Sequence, residues 1–447
     1  MKVSKVIVGI VLSILLSTLL LAGTSMALQK IVYCVDGSYS RPGTPEEGIA
    51  ELQAEIEDPE LLMDTLGVKT NELKIELLTL ISEKMAAAGY SLEGQDWGWA
   101  EQLTQKETVA FLSGIGPDVI IGETQMPGFA AQGYLEPFPE ALAEKLRETV
   151  VPGAYLPMTV GGKIYGLAPY PGVNVLFWNK DLFRKAGLDP EVGPKTWSEW
   201  LDMSNKITAA GKGKFYGGGV FVGPHFGGSL RVGPFMMMTA GGGFVDENND
   251  IQFAHPGNIK ALEFIRKLNK NTPPGIAAAP SEGGFWDAYH EGRMGFVVDG
   301  PWRQPEAEKV GIPTGYSPLP LPDVGGRAAN VTIGAAFYSV PTYSKNKEGA
   351  FKLIETLIEE EVQAVSLPLM KRSCVLMSWG DKPANQESYY YTFWLALQGQ
   401  VVGLPTYKSQ SAKVWDIFHQ NMTKAIVTDL PIDEIMAEAE RRAKALQ

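Results

Sequence analysis

The sequence predicts an α/β fold in which strands alternate with helices along the whole chain. Short apolar runs bounded by Gly or Pro turns, as at 30–35 and 116–122, are typical of buried strands. Longer stretches with apolar residues at helical spacing, as at 46–85, predict amphipathic helices with a solvated acidic face. Because both kinds of segment alternate from end to end, we expect largely parallel sheets with flanking helices.

The individual elements follow in chain order. Further strands are predicted at 163–167 and 174–178, and helices at 179–186, from 196 onward, at 257–269, at 347–361 and from 432 to the end. Thr196 followed by Glu199 matches a capping box, which marks a helix start. Gly122 is expected to turn the chain at the end of its strand.

The first residues predict the compartment. Lys2 and Lys5 precede an apolar run at 6–21, and small residues then lead to Ala27. This pattern predicts a signal peptide at 1–27, cleaved near Ala27, with an uncleaved membrane anchor as the alternative. We therefore expect a periplasmic or extracellular protein that begins near Leu28.

The net charge bears on which partners the protein can bind, and the cysteine positions bear on whether it has a disulfide. The net charge of −12 becomes −14 without residues 1–27, since that segment carries two lysines and no acids (37 − 51). An acidic surface argues against nucleic acid and anionic membranes as partners. Cys34 and Cys374 lie outside any C-x-x-C pattern, and we favour two free buried thiols over a disulfide.

Motifs for catalysis or metal binding are absent from the sequence. The four histidines are scattered, and neither a nucleophile elbow nor a phosphate-binding loop occurs. The acid run at 46–60 lacks regular metal-ligand spacing, and 246–250 imitates an EF-hand start without its Gly and Glu, so a polar hairpin turn is favoured there. These observations predict a protein that is not an enzyme and holds no cofactor or metal. Two convergent carboxylates of a glycosidase stay open, because the chain has 51 acids.

Aromatic residues near turns suggest a ligand. A sugar ring has an apolar C–H face that an indole can cover, and hydroxyls that planar polar side chains can bind. Trp302 follows a Gly-Pro turn and precedes Arg303, which favours exposure to a cleft as much as burial in a core. Trp178, Trp197 and Trp200 lie in regular apolar patterns and are expected in the core.

Several blocks occur in one order over most of the chain from about residue 110. They are GPDVIIG (116–122), FAAQGYLEP (129–137), GKIYGLAPY (162–170), VLFWNKDLF (175–183), PKTWSEW (194–200), GGGFVD (241–246), FWDAYHEGRMGFVVDGPW (285–302) and GAAFYSVP (334–341). Together they resemble the extracellular solute-binding proteins typified by maltose-binding protein. The segment 36–105 is longer and more acidic than is usual there, and 374–406 matches no pattern of the family.

The resemblance implies a two-lobed periplasmic-binding-protein fold with a ligand cleft between the lobes. Lobe one would comprise 28–170 and 332–361, and lobe two 171–331 and 362–447. Such a protein captures a sugar or oligosaccharide by hinge closure and delivers it to the permease of an ABC importer. We expect a monomer with a carbohydrate ligand. The alternatives are a non-sugar solute (a polyol, a glycerophosphoryl compound or a polyamine) and a secreted carbohydrate-active enzyme.

The resemblance also implies ligand contacts from turns at strand ends, on the crossing segments and on a C-terminal helix. The predicted ligand-binding residues are Glu123, Gln125, Tyr170, Asn174, Trp302, Arg303 and Trp415. Capping of the helix that follows is the alternative role for Glu123 and Gln125.

Overall fold

The computed structural model describes residues 27–35, 39–57, 65–98, 100–123, 125–334, 336–402, 405 and 411–447. Residues 1–26 of the predicted signal peptide lie outside this set. Within these ranges, no helix is both long and apolar enough to cross a membrane.

Helices and strands alternate as expected. The strands are β1 (Gln29–Cys34), β2 (Tyr90–Gln95), β3 (Ile120–Gly122), β4 (Thr159–Val160), β5 (Lys163–Ile164), β6 (Gly172–Val173), β7 (Val175–Asn179), β8 (Tyr216–Gly218), β9 (Met294–Asp299), β10 (Thr314–Ser317), β11 (Ala329–Ile333), β12 (Phe337–Ser339) and β13 (Gln400–Val402). The helices are α1 (Pro45–Glu57), α2 (Thr65–Ala87), α3 (Ala100–Ser113), α4 (Met126–Ala131), α5 (Glu140–Thr149), α6 (Lys180–Lys185), α7 (Trp197–Gly211), α8 (Phe226–Met238), α9 (Pro256–Asn269), α10 (Gly283–His290), α11 (Arg303–Lys309), α12 (Lys347–Thr356), α13 (Glu360–Met370), α14 (Met377–Gly380), α15 (Pro383–Gln386), α16 (Tyr389–Gln398), α17 (Ser411–Val427) and α18 (Ile432–Lys444).

Two strand pairs, β1-β2 and β3-β12, lie side by side in the order β2-β1-β3-β12, and we call them together the first sheet. β1 pairs in parallel with β2, and a parallel bridge between Tyr33 and Val119 joins β1 to the segment that leads into β3. β12 completes the sheet by pairing antiparallel with β3. Ile120 and Ile121 are almost fully buried, which agrees with an apolar run that is covered on both faces.

The second sheet has the order β10-β7-β9-β8, and every residue of β9 is buried. β8 and β9 are parallel, so their carboxyl ends lie at the same edge. β9 ends there at Asp299, and the chain then turns through Gly300 and Pro301 to Trp302. This turn is the one that the sequence singled out.

A short ladder links the parts of the chain that cross between the two sheets. β6 pairs antiparallel with β11 through Gly172↔Ile333 and Val173↔Thr332, and β13 pairs in parallel with β11. The two-lobed α/β fold is confirmed. The sheets are mixed, and the expectation that most strand pairs are parallel is wrong. β7 pairs antiparallel with both of its neighbours, and β12 pairs antiparallel with β3.

Buried apolar side chains of the described residues form two clusters. The first surrounds the first sheet and also packs on one face of β7 and β9. The second packs on the other face of these two strands, together with α8, α9, α17 and α18. Phe393 and Leu397, from the segment 362–401, pack in the first cluster. The lobe boundaries at 170/171, 331/332 and 361/362 stay a prediction.

The predicted helix cap and the polar hairpin turn are present, and one predicted helix is divided in two. Thr196 Oγ1 accepts from the Glu199 amide at 3.3 Å, which confirms the cap. The expected helix at 347–361 is divided into α12 and α13 by the segment between Thr356 and Glu360. Asp246 carries the polar hairpin turn, since its Oδ1 accepts from two amides of that turn.

The two cysteines lie in the core, and Gly122 lies at the end of β3. Cys34 and Cys374 are free and buried, as favoured. Gly122 does not make a turn: it is the last residue of β3 and pairs with Phe337. A Cβ at Gly122 would lie 2.8 Å from the side-chain Nε2 of Gln125. The lack of a side chain at Gly122 therefore leaves room for the side-chain amide of Gln125.

Candidate functional site

The indole of Trp302 lies where the two crossing segments meet, the one that contains β6 and the one that contains β11. Trp302 is half-buried and precedes α11. A Cβ at Gly172 would lie 2.9 Å from the indole, and one at Gly334 would lie 3.1 Å from it. Gly334 also has φ of +52°, which disfavours a side chain there. Two glycines, one from each crossing segment, therefore leave room for the ring.

Arg372, from a distant part of the chain, contacts both crossing segments and the Trp302 ring. Its Nη1 donates to the carbonyl oxygen of Tyr170 at 2.8 Å and to the carbonyl of Gly334. The guanidinium carbon lies 5.7 Å from the centroid of the Trp302 ring, within the range of a cation–π attraction. One side chain thus joins both crossing segments to the indole.

Glu123 adds an acceptor to this group. It follows β3 and is half-buried, and burial raises the pKa of its carboxyl, whereas the positive charge of Arg372 lowers that pKa. The site therefore combines an apolar ring face, a donor-only guanidinium and a carboxyl group. We call this set, Glu123, Tyr170, Trp302 and Arg372, the crossing cluster.

Tyr170 is present in the crossing cluster chiefly through its backbone. Its side chain is 5% exposed and its hydroxyl lies 3.1 Å from Ser366 Oγ, while its ring meets Tyr39 edge-on at 6.1 Å. The carbonyl oxygen is the atom that accepts from Arg372. The side chain thus belongs to the wall behind the cluster.

Asn174 lies inside the crossing, fully buried. Its Nδ2 donates to the carbonyl of Leu230 at 2.9 Å, and its own carbonyl accepts from Asn330 Nδ2 at 2.8 Å. These bonds tie the segment between β6 and β7 to α8 and β11. The structure therefore places Asn174 as a brace between the crossing segments.

Arg303 takes part in a network that fixes the turn before Trp302. Its Nε donates to Asp299 Oδ2 at 2.9 Å, and its guanidinium lies 4.4 Å from the centroid of the Trp286 ring. Asp299 is fully buried and also accepts from Arg231 at 2.5 Å and from the Gly300 amide at 2.7 Å. With two cations and one amide around it, this carboxylate holds the start of the turn in place.

The side chain of Gln125 does not cap the helix that follows it. It stands at the start of α4 without a side-chain cap bond. Its Nε2 instead donates to Glu107 Oε2 at 3.1 Å, and its Oε1 accepts from the Glu123 amide at 3.2 Å. The predicted residue is thus joined to the crossing cluster through Glu123.

Trp415 packs in the second cluster of buried apolar residues. It is 4% exposed, and its ring contacts those of Phe226, Phe244 and Phe418 at centroid distances of 5.4, 5.2 and 5.9 Å. The structure brings Glu123, Tyr170 and Trp302 together, and it leaves Trp415 among core aromatics.

Sequence reasoning missed Arg372 and Glu107. Arg372 follows α13 after Lys371, a residue with φ of +52°. Neither residue lies in a recognisable motif, and a basic residue after a helix is too common a feature to single out. In the described part of the chain, no group of three or more His, Cys, Asp or Glu is arranged to hold a metal ion.

The fold defines a class of protein, the two-lobed α/β binding proteins, and the crossing cluster is a candidate site in it. The chain belongs to the family of bacterial extracellular solute-binding proteins, whose family model matches residues 82–364, more than half of the sequence.

Curated relatives cover part of the chain. The galactooligosaccharide-binding protein of Bacillus subtilis (strain 168) is 28% identical over 281 residues, which cover 62% of this chain and 64% of that protein. A binding protein of Brucella abortus (strain 2308) is 26% identical over 271 residues, covering 59% of this chain and 63% of that protein. The matched region thus spans less than two thirds of the length of these relatives.

Solved structures show the same fold over nearly the whole chain. A solute-binding protein from Thermotoga lettingae, bound with α-D-tagatose, is similar with a TM-score of 0.66 and 24% identity, covering 93% of this chain and 99% of that one. The sugar-binding protein MalE from Xanthomonas citri gives a TM-score of 0.69 at 20% identity, covering 93% and 97%.

Proposed function

We propose that this protein captures a carbohydrate at the crossing cluster by closure of its two lobes and delivers it to the permease of an ABC importer. The observation that carries the proposal is the indole of Trp302, set against Gly172 and Gly334 with Arg372 and Glu123 beside it. An indole covers the apolar face of a sugar ring, while the guanidinium and carboxyl bind hydroxyls. The names of the relatives, which include a galactooligosaccharide-binding protein, support the same ligand class.

The charges around the site favour a neutral ligand. Arg372 donates to two backbone carbonyls, and Arg303 and Arg231 are paired with the carboxylate of Asp299. A phosphorylated ligand would need several cations around it, and Arg372 is the one cation of the crossing cluster. A polyamine would need several acids around the ring, and the crossing cluster has one, Glu123, whose pKa is lowered by the positive charge of Arg372. A sugar therefore fits the crossing cluster better than either charged solute.

The mechanism is capture without covalent chemistry. Ligand enters between the lobes, both crossing segments contribute contacts, and rotation about those segments encloses it. A glycosidase would place two carboxylates on opposite sides of a glycosidic bond, whereas the crossing cluster supplies Glu123 alone. We place the protein outside the cytoplasmic membrane, as a monomer that docks on its permease.

A thermal-shift screen with maltose, maltotriose, β-1,4-galactobiose and D-tagatose tests the proposal. A ligand at 100 times its Kd stabilises the folded state by about 2.7 kcal/mol. The sugar with the largest shift is then titrated calorimetrically into the wild type and into Trp302→Ala and Trp302→Phe. We expect at least about tenfold weaker binding by the Ala variant and a smaller loss by the Phe variant, because a phenyl ring keeps part of the stacking face.

Trp197→Phe is the matched control, because Trp197 is 3% exposed and packs parallel to Phe264 in the second core. This variant should lower the melting temperature and leave the affinity unchanged. Equal affinity of the wild type and Trp302→Ala, with both folded, would contradict the proposed site. No thermal shift with any sugar in the panel would contradict the proposed ligand class.

A further inference from the structure

Glu107 is a buried carboxyl that the proposed binding mechanism does not use. It lies on α3 with 0% of its surface exposed, and burial raises its pKa to about 7, against a smaller lowering by the hydrogen bond from Gln125. Its Oε1 has no hydrogen-bond partner among the described residues, while Oε2 accepts from Gln125 Nε2 at 3.1 Å. A carboxyl with a single donor in an apolar setting is costly to ionise, and packing alone does not require one there.

Gln125 connects this carboxyl to the crossing cluster. The same amide that donates to Glu107 accepts, through Oε1, from the backbone N–H of Glu123 at 3.2 Å. Gly122 makes this arrangement possible, because a Cβ there would lie 2.8 Å from Gln125 Nε2. The three residues form one hydrogen-bonded chain from α3 to the end of β3, and we call it the relay.

We infer that Glu107 and Gln125 are positioning residues that hold Glu123 in place for sugar binding, and that the hold tightens when Glu107 is ionised. The inference rests on the proposed function, since it takes Glu123 as a ligand contact. A hydrogen bond to an ionised acceptor is roughly twice as strong as one to a neutral acceptor. Donation to a carboxylate also polarises the Gln125 amide and makes its oxygen a better acceptor for the Glu123 N–H.

Other titratable and charged groups surround the relay. Cys34 of β1 and Tyr343 after β12 interact electrostatically with Glu107, and Arg372 faces Glu123. Lys106, Asp96 and Asp118 act on Cys34 and Tyr343. Burial raises the pKa of the Cys34 thiol and of the Tyr343 hydroxyl, so both stay protonated between pH 6 and 8.

The nearby ionic side chains have bonds outside the relay. Asp118 accepts from the Val32 amide at 3.0 Å and from Ser344 Oγ at 2.7 Å, and Lys106 donates to the Asp96 carbonyl at 3.2 Å. Because burial also raises the pKa of the Glu123 carboxyl, a charge change near neutral pH is assigned to Glu107 by its loss in the Glu107→Gln variant.

The first test needs no ligand. In ¹H–¹⁵N spectra of the whole mature protein, the backbone amide of Glu123 and the side-chain amide of Gln125 should shift with a common midpoint near pH 7. Glu107→Gln should abolish that titration, because the amide replacement keeps an acceptor but cannot ionise. The side-chain amide of Gln132 donates to the Gly128 carbonyl on the same helix and serves as the internal reference that should not titrate. A Glu123 amide that titrates identically in wild type and Glu107→Gln would overturn the relay.

The second test measures affinity for the sugar with the largest thermal shift in the panel. Wild-type binding should be about threefold to tenfold weaker at pH 6 than at pH 8, and Glu107→Gln should bind with the same affinity at both. Gln125→Met, which keeps the length and removes the amide, should bind about tenfold more weakly at both pH values, whereas Gln132→Met should match the wild type.

The two proposals fail in different ways. If wild type and Glu107→Gln show the same pH profile of affinity, the relay is wrong and sugar binding stands. If no sugar in the panel binds the wild type, the proposed function fails, and the amide titration still decides whether Glu107 controls the position of Glu123.

Discussion

Replacing Glu107 by Gln should stabilise the protein at alkaline pH. Loss of a carboxylate from a salt bridge would instead destabilise a protein at that pH. The side chain is fully buried, and burial raises its pKa from 4.5 to about 7 in the folded state. Between these two values the folded protein keeps a proton that the unfolded chain has released. The free energy of unfolding therefore falls as pH rises through this window, and the loss is complete above pH 7.

The size of the effect follows from the shift. A difference of 2.5 pKa units (7 − 4.5) at 1.36 kcal/mol per unit is about 3 kcal/mol. Gln cannot ionise, so Glu107→Gln should exceed the wild type by up to about 3 kcal/mol at pH 8 and by little at pH 4.5. With an unfolding entropy of about 2.1 cal/mol/K per residue, this corresponds to roughly 3 °C in melting temperature for a chain of this length.

The assay is calorimetric or fluorescence-monitored melting of the sugar-free protein from pH 4.5 to 8. Glu144→Gln is the control, because Glu144 is exposed on α5. That variant should follow the wild type at every pH. The reasoning is refuted if the difference between Glu107→Gln and wild type is constant with pH, or if the wild type is the more stable at pH 8.

Three further outcomes are expected. Gly172→Ala should cost about 1–3 kcal/mol of stability and weaken sugar binding in calorimetry. The reason is that its Cβ would lie 2.5 Å from the Ile333 carbonyl oxygen and 2.9 Å from the Trp302 ring. Wild-type stability and affinity of this variant would contradict the packing. Cys34 and Cys374 are buried and burial raises both pKa values, so a thiol reagent should label neither in the native protein and both in urea. Small-angle scattering should give a smaller radius of gyration with bound sugar, and an unchanged profile at saturation would argue against closure.

Part of the candidate site was predictable because it depends on local signals. A continuous apolar run predicted β3, and the polar residue that follows it is Glu123. The Gly-Pro turn after β9 predicted that Trp302 would leave the sheet at a strand end, and the ring lies at the crossing segments. In both cases the pattern of burial and the turn chemistry are written into neighbouring residues.

The remaining contacts were not predictable, because they join residues that are far apart in the chain. Arg372 meets Trp302 only because the turn after α13 is folded back onto the crossing segments. Trp415 was predicted as a ligand contact from the C-terminal helix that the resemblance implies, yet it packs among Phe244 and Phe418.

By itself, the sequence determined the alternation of strands and helices, the family, and the strand ends from which a site could be built. It did not determine that the amide of Gln125 turns inward to Glu107 instead of outward to a ligand. That choice depends on the room left by Gly122 and on a carboxyl that α3 brings from 18 residues earlier in the chain. Periodicity reports which side chains are buried; which buried polar groups meet is decided by how distant elements pack, because each unpaired group would cost about 1–3 kcal/mol.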